Sequence, residues 1–442
     1  MPPVSHTTSA TLNIALVNQT TSSTVNAYIT GQAINNNNAL FLLESDGKTP
    51  YYPTSPSSNG TSLAANCAIA LGAPGSTTTV TIPQIAGGRI WFCINDTITF
   101  LLNPGPGLVE PSPSNTSDPN YNKTWDFCEF TFNSSQLFAN ISYVDFVSVP
   151  IALTLLNTSG ATQHVSGIPA NGLTTVCNAL TAQNQTDGAG WDQLIVNSPS
   201  GSPLRAVSPN TGIVMNYSLF SGYYSPYVNQ VWSHYASTPL TIDTQAQWGS
   251  PTATVVGGLL TFSGVGTFAQ PSAADIFSCS TGPFAAAASN TAEMGAITAR
   301  MAAAFNRSTL LADPNQPEGE VVSTYYSTSP TNHYARILHE TNMDGKGYAF
   351  PYDDVGPTNG VDQSGAVNDG SPQLFTVAVG GANASASASA IARPNAPVTS
   401  VPTSNESTPV KRANTTAPAP VKRLTFVSKL MSCFWIRRKA GN

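Results

Sequence analysis

Charge is what this chain has least of. Asp, Glu, Lys and Arg together make up 9% of its 442 residues, and the formal net charge is −6. Nothing in that balance follows a phosphate backbone, and the few basic residues cluster only toward the far end, so nucleic acid is not an expected partner. Cysteine is sparse too. Within the expected folded region, Cys67, Cys93, Cys128, Cys177 and Cys279 are too scattered for a zinc site, and their odd number predicts one or two disulfides plus a free thiol, with the pairing left open. His339-Glu340 lacks the second His of a metalloprotease helix, and neither a Gly-X-Ser-X-Gly elbow nor a phosphate loop occurs. No metal or cofactor is expected. No run reaches the roughly 18–20 apolar residues of a membrane span, so the chain is expected to be soluble. Met1-Pro-Pro-Val-Ser-His6 lacks the basic and apolar regions of a signal peptide, so either the leader is missing from this version or export is unconventional.

What is present is a core and a great deal of small polar surface. The 41% hydrophobic content is ample for burial, and the length allows two or three domains. Low charge with abundant Ser, Thr, Asn, Gly and Pro fits a secreted, wall-associated protein. Asn-X-Ser/Thr sequons are dense, at Asn18, Asn59, Asn95, Asn115, Asn122, Asn157, Asn184, Asn216 and Asn306 among others. An Asn- and Thr-rich chain produces some by chance, yet their density fits a secretory route and an extracellular or cell-wall location.

From Leu12 to Leu155 short alternating runs are split by turn residues: Leu12–Val17, Ala39–Leu43, Thr78–Ile82 and Arg89–Ile94. Many short strands at regular spacing predict a sandwich or barrel. The middle differs. Pro226–Tyr235 places Val228, Val231, Trp232 and Tyr235 at helical spacing, and Asn290-Thr-Ala-Glu293 reads as a capping box opening a helix that carries Ile297, Met301 and Phe305. Strand signals return at Tyr348–Tyr352 and Leu374–Val379. The expected organisation is an N-terminal extension over 1–10, a β-domain over 11–155 joined by strands from 345–382, a mixed α/β domain over 156–344, and a disordered low-complexity tail with a basic end over 383–442.

Two acids interrupt adjoining β-like stretches, Glu129 in Trp125–Asn133 and Asp145 in Asn140–Pro150. A carboxylate in an apolar strand is costly unless it is partnered or faces a wet cleft. Alternation puts Glu129, Thr131 and Asn133 on one face and Phe130 and Phe132 on the other, with Tyr143 and Asp145 sharing a face of the second stretch. Paired across Ser134-Ser135, the two stretches form a polar floor suited to sugar. Two carboxyl groups are what glycoside hydrolysis needs, one to protonate the leaving oxygen and one to activate or replace water. Cross-strand spacing permits either inversion or retention.

Trp125-Asp-Phe-Cys-Glu-Phe-Thr-Phe-Asn133 followed by Ala139-Asn-Ile-Ser-Tyr-Val-Asp-Phe-Val-Ser-Val-Pro-Ile151 resembles the signature of glycoside hydrolase family 64, the thaumatin-like endo-β-1,3-glucanases. Gly87–Trp91, Asp275–Pro283 and Asp344–Asp354 resemble the same family in the same order, over about residues 11–382. The resemblance implies a mainly β fold with inserted helices: a thaumatin-like β-barrel or sandwich, a mixed α/β domain, and a groove between them for β-1,3-glucan. It implies inverting hydrolysis, release of a pentasaccharide in characterised bacterial members, Glu129 as general acid, Asp145 as general base, and Thr131 and Asn133 in contact with substrate. In the wider thaumatin-like group an Arg in the Gly-Gly-Arg-Ile-Trp context joins an acidic cleft with a Glu and two Asp; Arg89, Glu129 and Asp145 match three of these, and Asn140 stands at the fourth acid.

Each assignment has a plainer counterpart. Arg89 serves the groove or a structural ion pair. Trp91, Trp125 and Tyr143 stack on sugar rings or fill the core. Asp353-Asp354 caps a turn in preference to acting in catalysis. For the whole chain, the expected endo-β-1,3-glucanase, a monomer acting on glucan, stands against a non-catalytic thaumatin-like β-glucan-binding wall protein, and more weakly against a structural wall protein.

Overall fold

A computed structural model describes residues 8–381. The expected tail over 383–442 and residues 1–7 of the expected N-terminal extension lie outside the described residues. The early strands form where alternation places them, as Thr11–Asn18, Ala39–Leu43, Thr77–Pro83 and Ile85–Ile94. The molecule is mainly β with a helical middle.

Two sheets dominate. The five-stranded sheet runs, in spatial order, Thr162–Val165, Ile151–Asn157, Pro372–Val379, Thr11–Asn18 and Thr77–Pro83. It thus continues past the expected boundary at Leu155. The larger sheet runs Ala366–Asp369, Leu137–Ile141, Thr124–Phe132, Ile85–Ile94, Val25–Ala33, Ala39–Leu43 and Pro50–Tyr51. Period-two burial joins them: Leu12, Ile14 and Leu16 from the first sheet and Phe130 and Phe132 from the second belong to one apolar cluster. Each large side chain removed from water there contributes about 1.5–3 kcal/mol before ordering costs.

Gly87 and Gly88 fix the strand that carries Arg89. The pairing between Ile85–Ile94 and Thr124–Phe132 shifts register between Phe130 and Phe132, and Gly87 sits at that irregularity with φ of 56°. A bulge needs a residue tolerant of this backbone. Gly88 answers a second need, because a Cβ there would lie 2.5 Å from the Phe130 ring. Beyond the glycines the ladder resumes, and Arg89 lies directly across from Glu129.

The stretch expected as one strand over Asn140–Pro150 is broken. Leu137–Ile141 pairs with Thr124–Phe132, but Ser142 leaves to bridge Tyr348, and the Tyr143 N–H donates to the Tyr348 carbonyl at 2.8 Å. Asp145 lies in the following bend, and Phe146–Val147 joins a different sheet through Pro203–Val207. The expected strand at Tyr348–Tyr352 shrinks to that one bridge. Pro351 and the Asp353 carboxylate, which accepts the Ala349 N–H at 2.9 Å, turn the chain instead.

The helices of the middle follow the 3.6-residue pattern. Ser225–His234 buries Tyr227, Val228, Val231 and Trp232. Ala292–Arg307 buries Ile297, Met301 and Phe305, and its cap is Thr291, whose side chain accepts the Met294 N–H, one residue later than the expected Asn290. No helix among the described residues is long and apolar enough to cross a membrane.

Candidate active site

The face of the large sheet that carries Glu129 is polar at one end and aromatic at the other. Glu129 and Thr131 are half-buried on the Thr124–Phe132 strand, and Asn133 follows in the turn. On the same face Phe127 and Trp125 are core, and with Trp91 and Phe146 they form a packed aromatic cluster with Trp91–Phe127 centroids 4.7 Å apart and Trp125–Phe146 centroids 4.8 Å apart. Trp125 is fully buried, and its Nε1–H donates to the Asn120 carbonyl. The expected stacking of Trp125 on sugar is therefore excluded by burial. Tyr143 fails for the same reason: it is 1% exposed, its hydroxyl donates to Asn342 Oδ1 at 3.0 Å, and burial raises that hydroxyl above its ordinary pKa. Trp91, buried with its Nε1–H on Thr30 Oγ1, is likewise core.

Arg89 rests on this aromatic floor. Its guanidinium carbon lies 4.4 Å from the Phe127 centroid and 5.3 Å from that of Trp91. Nε and Nη2 both reach Glu129 Oε1 at 3.1 Å, and Nη1 reaches Glu110 Oε2 at 2.9 Å. Burial opposes the charge of Arg89, but Glu110, Glu129 and Asp145 outweigh it and hold the guanidinium above its ordinary value. The ion-pair reading of Arg89 is what this geometry shows, with both Glu110 and Glu129 as partners. Among the described residues no hydrogen bond is made to Glu129 Oε2, so Arg89 anchors one carboxyl oxygen of a side chain that stays 24% exposed.

Asp145 reaches the site from a bend, not from the expected polar strip of a strand. Its carbonyl accepts the Ser208 N–H at 2.9 Å, and Ser208 caps the helix Pro209–Met215. Asp126 secures the chain just beyond it: Oδ2 accepts the Ser148 and Val149 N–H groups at 2.8 and 2.9 Å. Burial pushes the Asp126 carboxyl up to about 7, against three backbone N–H groups and the Arg205 charge. The strand that carries Glu129 therefore also fixes the segment that presents Asp145. Asp126 and Glu110 were not legible as site residues, Asp126 because it reads as one more strand polar, Glu110 because Asn103–Pro113 reads as a turn-rich loop. The only available signal was rarity of charge.

Thr131 shares the face of Glu129, while Asn133 has a local duty, its Oδ1 accepting the Ser135 and Gln136 N–H groups at 2.8 and 3.0 Å. Asn140, directly across from Glu129, is fully buried, and neither amide atom has a hydrogen-bond partner.

The other acids belong elsewhere. Asp353 does not cap a turn through its side chain alone; it is buried in an ion network, with Oδ1 3.1 Å from Arg307 Nη2 and Oδ2 3.0 Å from His339 Nε2. Burial raises the Asp353 carboxyl, but His339 and Arg307 win and hold it below the usual range, while Asp353 and the Gly345 carbonyl hold His339 above its ordinary value against burial. Asp354 accepts from the Tyr348 hydroxyl at 2.8 Å. A cavity of about 440 Å³ opens beside His339, lined by Tyr325, Tyr326 and Arg336 among others, and includes none of Arg89, Glu129 and Asp145. Among the described residues no three His, Cys, Asp or Glu side chains are grouped to hold a metal. The expected disulfides are not formed among them either. The five cysteines among the described residues are buried thiols; Cys93 faces Asn26 and Trp125 across its ladders, and Cys128 faces Ile90 and Ile141.

The model of the family described as Beta-1,3-glucanase, glycoside hydrolase family 64, matches residues 10–379. Two curated relatives, each named Glucan endo-1,3-beta-glucosidase, from Cellulosimicrobium cellulans and Arthrobacter sp. (strain YCWD3), are each 31% identical over 305 residues, 67% of this chain and 52% of the relative. The chain thus spans about half the length of those relatives. The crystal structure of a laminaripentaose-producing β-1,3-glucanase in complex with laminaritetraose superposes with a TM-score of 0.74 at 30% identity, covering 84% of this chain and 98% of that one. A β-1,3-glucanase domain from Clostridium beijerinckii shares the fold, with a TM-score of 0.65 at 21% identity over 86% of this chain and all of that one.

Proposed function

The chain belongs to glycoside hydrolase family 64, the β-1,3-glucanases, and from that membership we propose that it is an endo-β-1,3-glucanase that cuts by inversion with Glu129 as acid and Asp145 as base. The observation that carries the reading is the asymmetric hold on Glu129: Oε1 is gripped by Arg89, while Oε2 makes no hydrogen bond among the described residues. A general acid needs this, one oxygen fixed and the other positioned to deliver a proton. As the bond from C1 to the leaving O3 breaks, that oxygen takes the proton and the bonding pair. Asp145 takes a proton from a water whose oxygen bonds to C1 from the opposite face, so a β-linked substrate releases an α-anomer.

The groove in this reading runs between a thaumatin-like β-domain and the mixed α/β domain, with Thr131 and Asn133 touching the glucan near the acids. The protein acts as a monomer outside the cell, on wall glucan and without nucleic acid, in keeping with its low charge and its exposed sequons.

The test is incubation with linear β-1,3-glucan. Reducing ends and internal-cut oligosaccharides are expected, with the α-anomer first in proton NMR. A β-anomer first would overturn inversion. Retained glucan binding with no release of reducing ends would overturn the enzyme and leave a glucan-binding protein.

A further inference from the structure

Arg89 has two acidic claimants, and only one of them comes from the sheet. Glu129 is its cross-strand neighbour, whereas Glu110 enters from the segment after the Gly107–Val109 strand and takes Nη1 at 2.9 Å. Strand pairing explains the first contact and not the second. Both acids are largely shielded, with side chains 19% and 24% exposed for Glu110 and Glu129, so the charges act at close range in a poorly solvated place.

The arrangement answers a chemical conflict. A guanidinium that orients a general acid also favours the ionised form, which has no proton to give. A second carboxylate on the same guanidinium cancels that effect without loosening the grip. Resting on the reading of Glu129 as the acid of glucan hydrolysis, we propose that Glu110 is a positioning residue that neutralises Arg89, so that Arg89 aligns Glu129 without stripping its proton.

The remaining groups around the pair fit. Asp145, from the bend before Phe146–Val147, adds a negative charge within reach of Arg89. The flanking strands contribute neutral side chains opposite the pair, Asn140 across from Glu129 and Thr30 across from Arg89. Asp126, on the same strand as Glu129, is committed to the Phe127, Ser148 and Val149 N–H groups and points to the other face.

The decisive experiment is the pH profile of kcat/KM on a soluble linear β-1,3-glucan for wild type and Glu110→Gln. The amide keeps the size and an oxygen for Arg89 Nη1 while removing the charge. The alkaline limb is expected to move to lower pH by about one unit, an approximately tenfold loss on that limb, with the acidic side retained. A profile lowered uniformly, or unchanged, overturns the proposal. Should Glu110→Gln melt below the assay temperature, Glu110→Asp decides, since a shorter reach weakens neutralisation and moves the limb in the same direction by less; an unmoved limb there overturns it too. Failure of the underlying reading looks different: wild type would release no reducing ends from glucan, or Glu129→Gln would hydrolyse it as fast as wild type.

Discussion

Asn140 stands directly across from Glu129 on the adjoining strand, fully buried, with neither amide atom hydrogen-bonded. A desolvated, unpartnered amide costs about 1–3 kcal/mol, so its presence beside a carboxyl calls for a return in function. We predict that Asn140→Leu leaves the protein as stable or more stable by about 1 kcal/mol while kcat/KM falls about tenfold. Thermal melts paired with kinetics check this. A lower melting temperature with intact activity would assign Asn140 to the fold alone.

Removing either carboxyl of the pair tests the division of labour. Glu129→Gln and Asp145→Asn are each predicted to lower glucan hydrolysis by about 10²–10⁴-fold with melting temperature little changed. Glu129→Gln also keeps an oxygen for Arg89. Near-normal turnover in either variant removes that residue from the mechanism.

The Arg307–Asp353–His339 network predicts a pH window of stability. Asp353 is held low, so its contribution exists above the unfolded carboxylate value of about 3.9 and is lost as pH falls through the native one. His339 is held high, so its contribution exists below about 6.5 and is lost as pH rises through its native value. Urea melts are therefore expected to show weakening at both ends, and His339→Gln to flatten the alkaline one. Asp353→Asn, which leaves the buried Arg307 with Glu320 as its one remaining carboxylate among the described residues, is expected to cost about 3 kcal/mol. A pH-independent difference between wild type and His339→Gln would refute the linkage.

Sequon occupancy follows accessibility. Asn18, Asn140 and Asn306 are fully buried, and Asn133 spends its Oδ1 on a turn, so none of these four is expected to carry glycan. Asn59, Asn95, Asn115, Asn122 and Asn216 are exposed and are the expected acceptors in a glycosylating host. Intact-glycopeptide mapping reads this directly, and high occupancy at Asn133 would count against its groove-facing role.

Much of the β framework was legible because alternation reports faces, and faces decide burial. Glu129 and Thr131 lie on the face that the pattern assigned them. Alternation says nothing about where a strand ends when its next partner is distant in sequence. Tyr348 takes Ser142 out of the ladder from about two hundred positions away, and that single bridge turned Tyr143 inward and moved Asp145 onto a bend. The aromatic residues misled for a related reason: Trp125 has the parity of Glu129, but Phe146 and Trp91 cover it, and nothing local encodes that cover. Glu110 escaped notice because its partner is a side chain rather than a strand.

The placement of Pro372–Val379 between Ile151–Asn157 and Thr11–Asn18 governs how the molecule is made. Until that segment leaves the ribosome, the five-stranded sheet exists at most as two separate pairs, each with an open edge. The sheet that carries Glu129 waits on the same event, since Ala366–Asp369 closes its flank beside Leu137–Ile141. A nascent chain lacking these two strands carries Glu129 and Asp145 on an unfinished scaffold, so synthesis through Val379 precedes completion of both sheets.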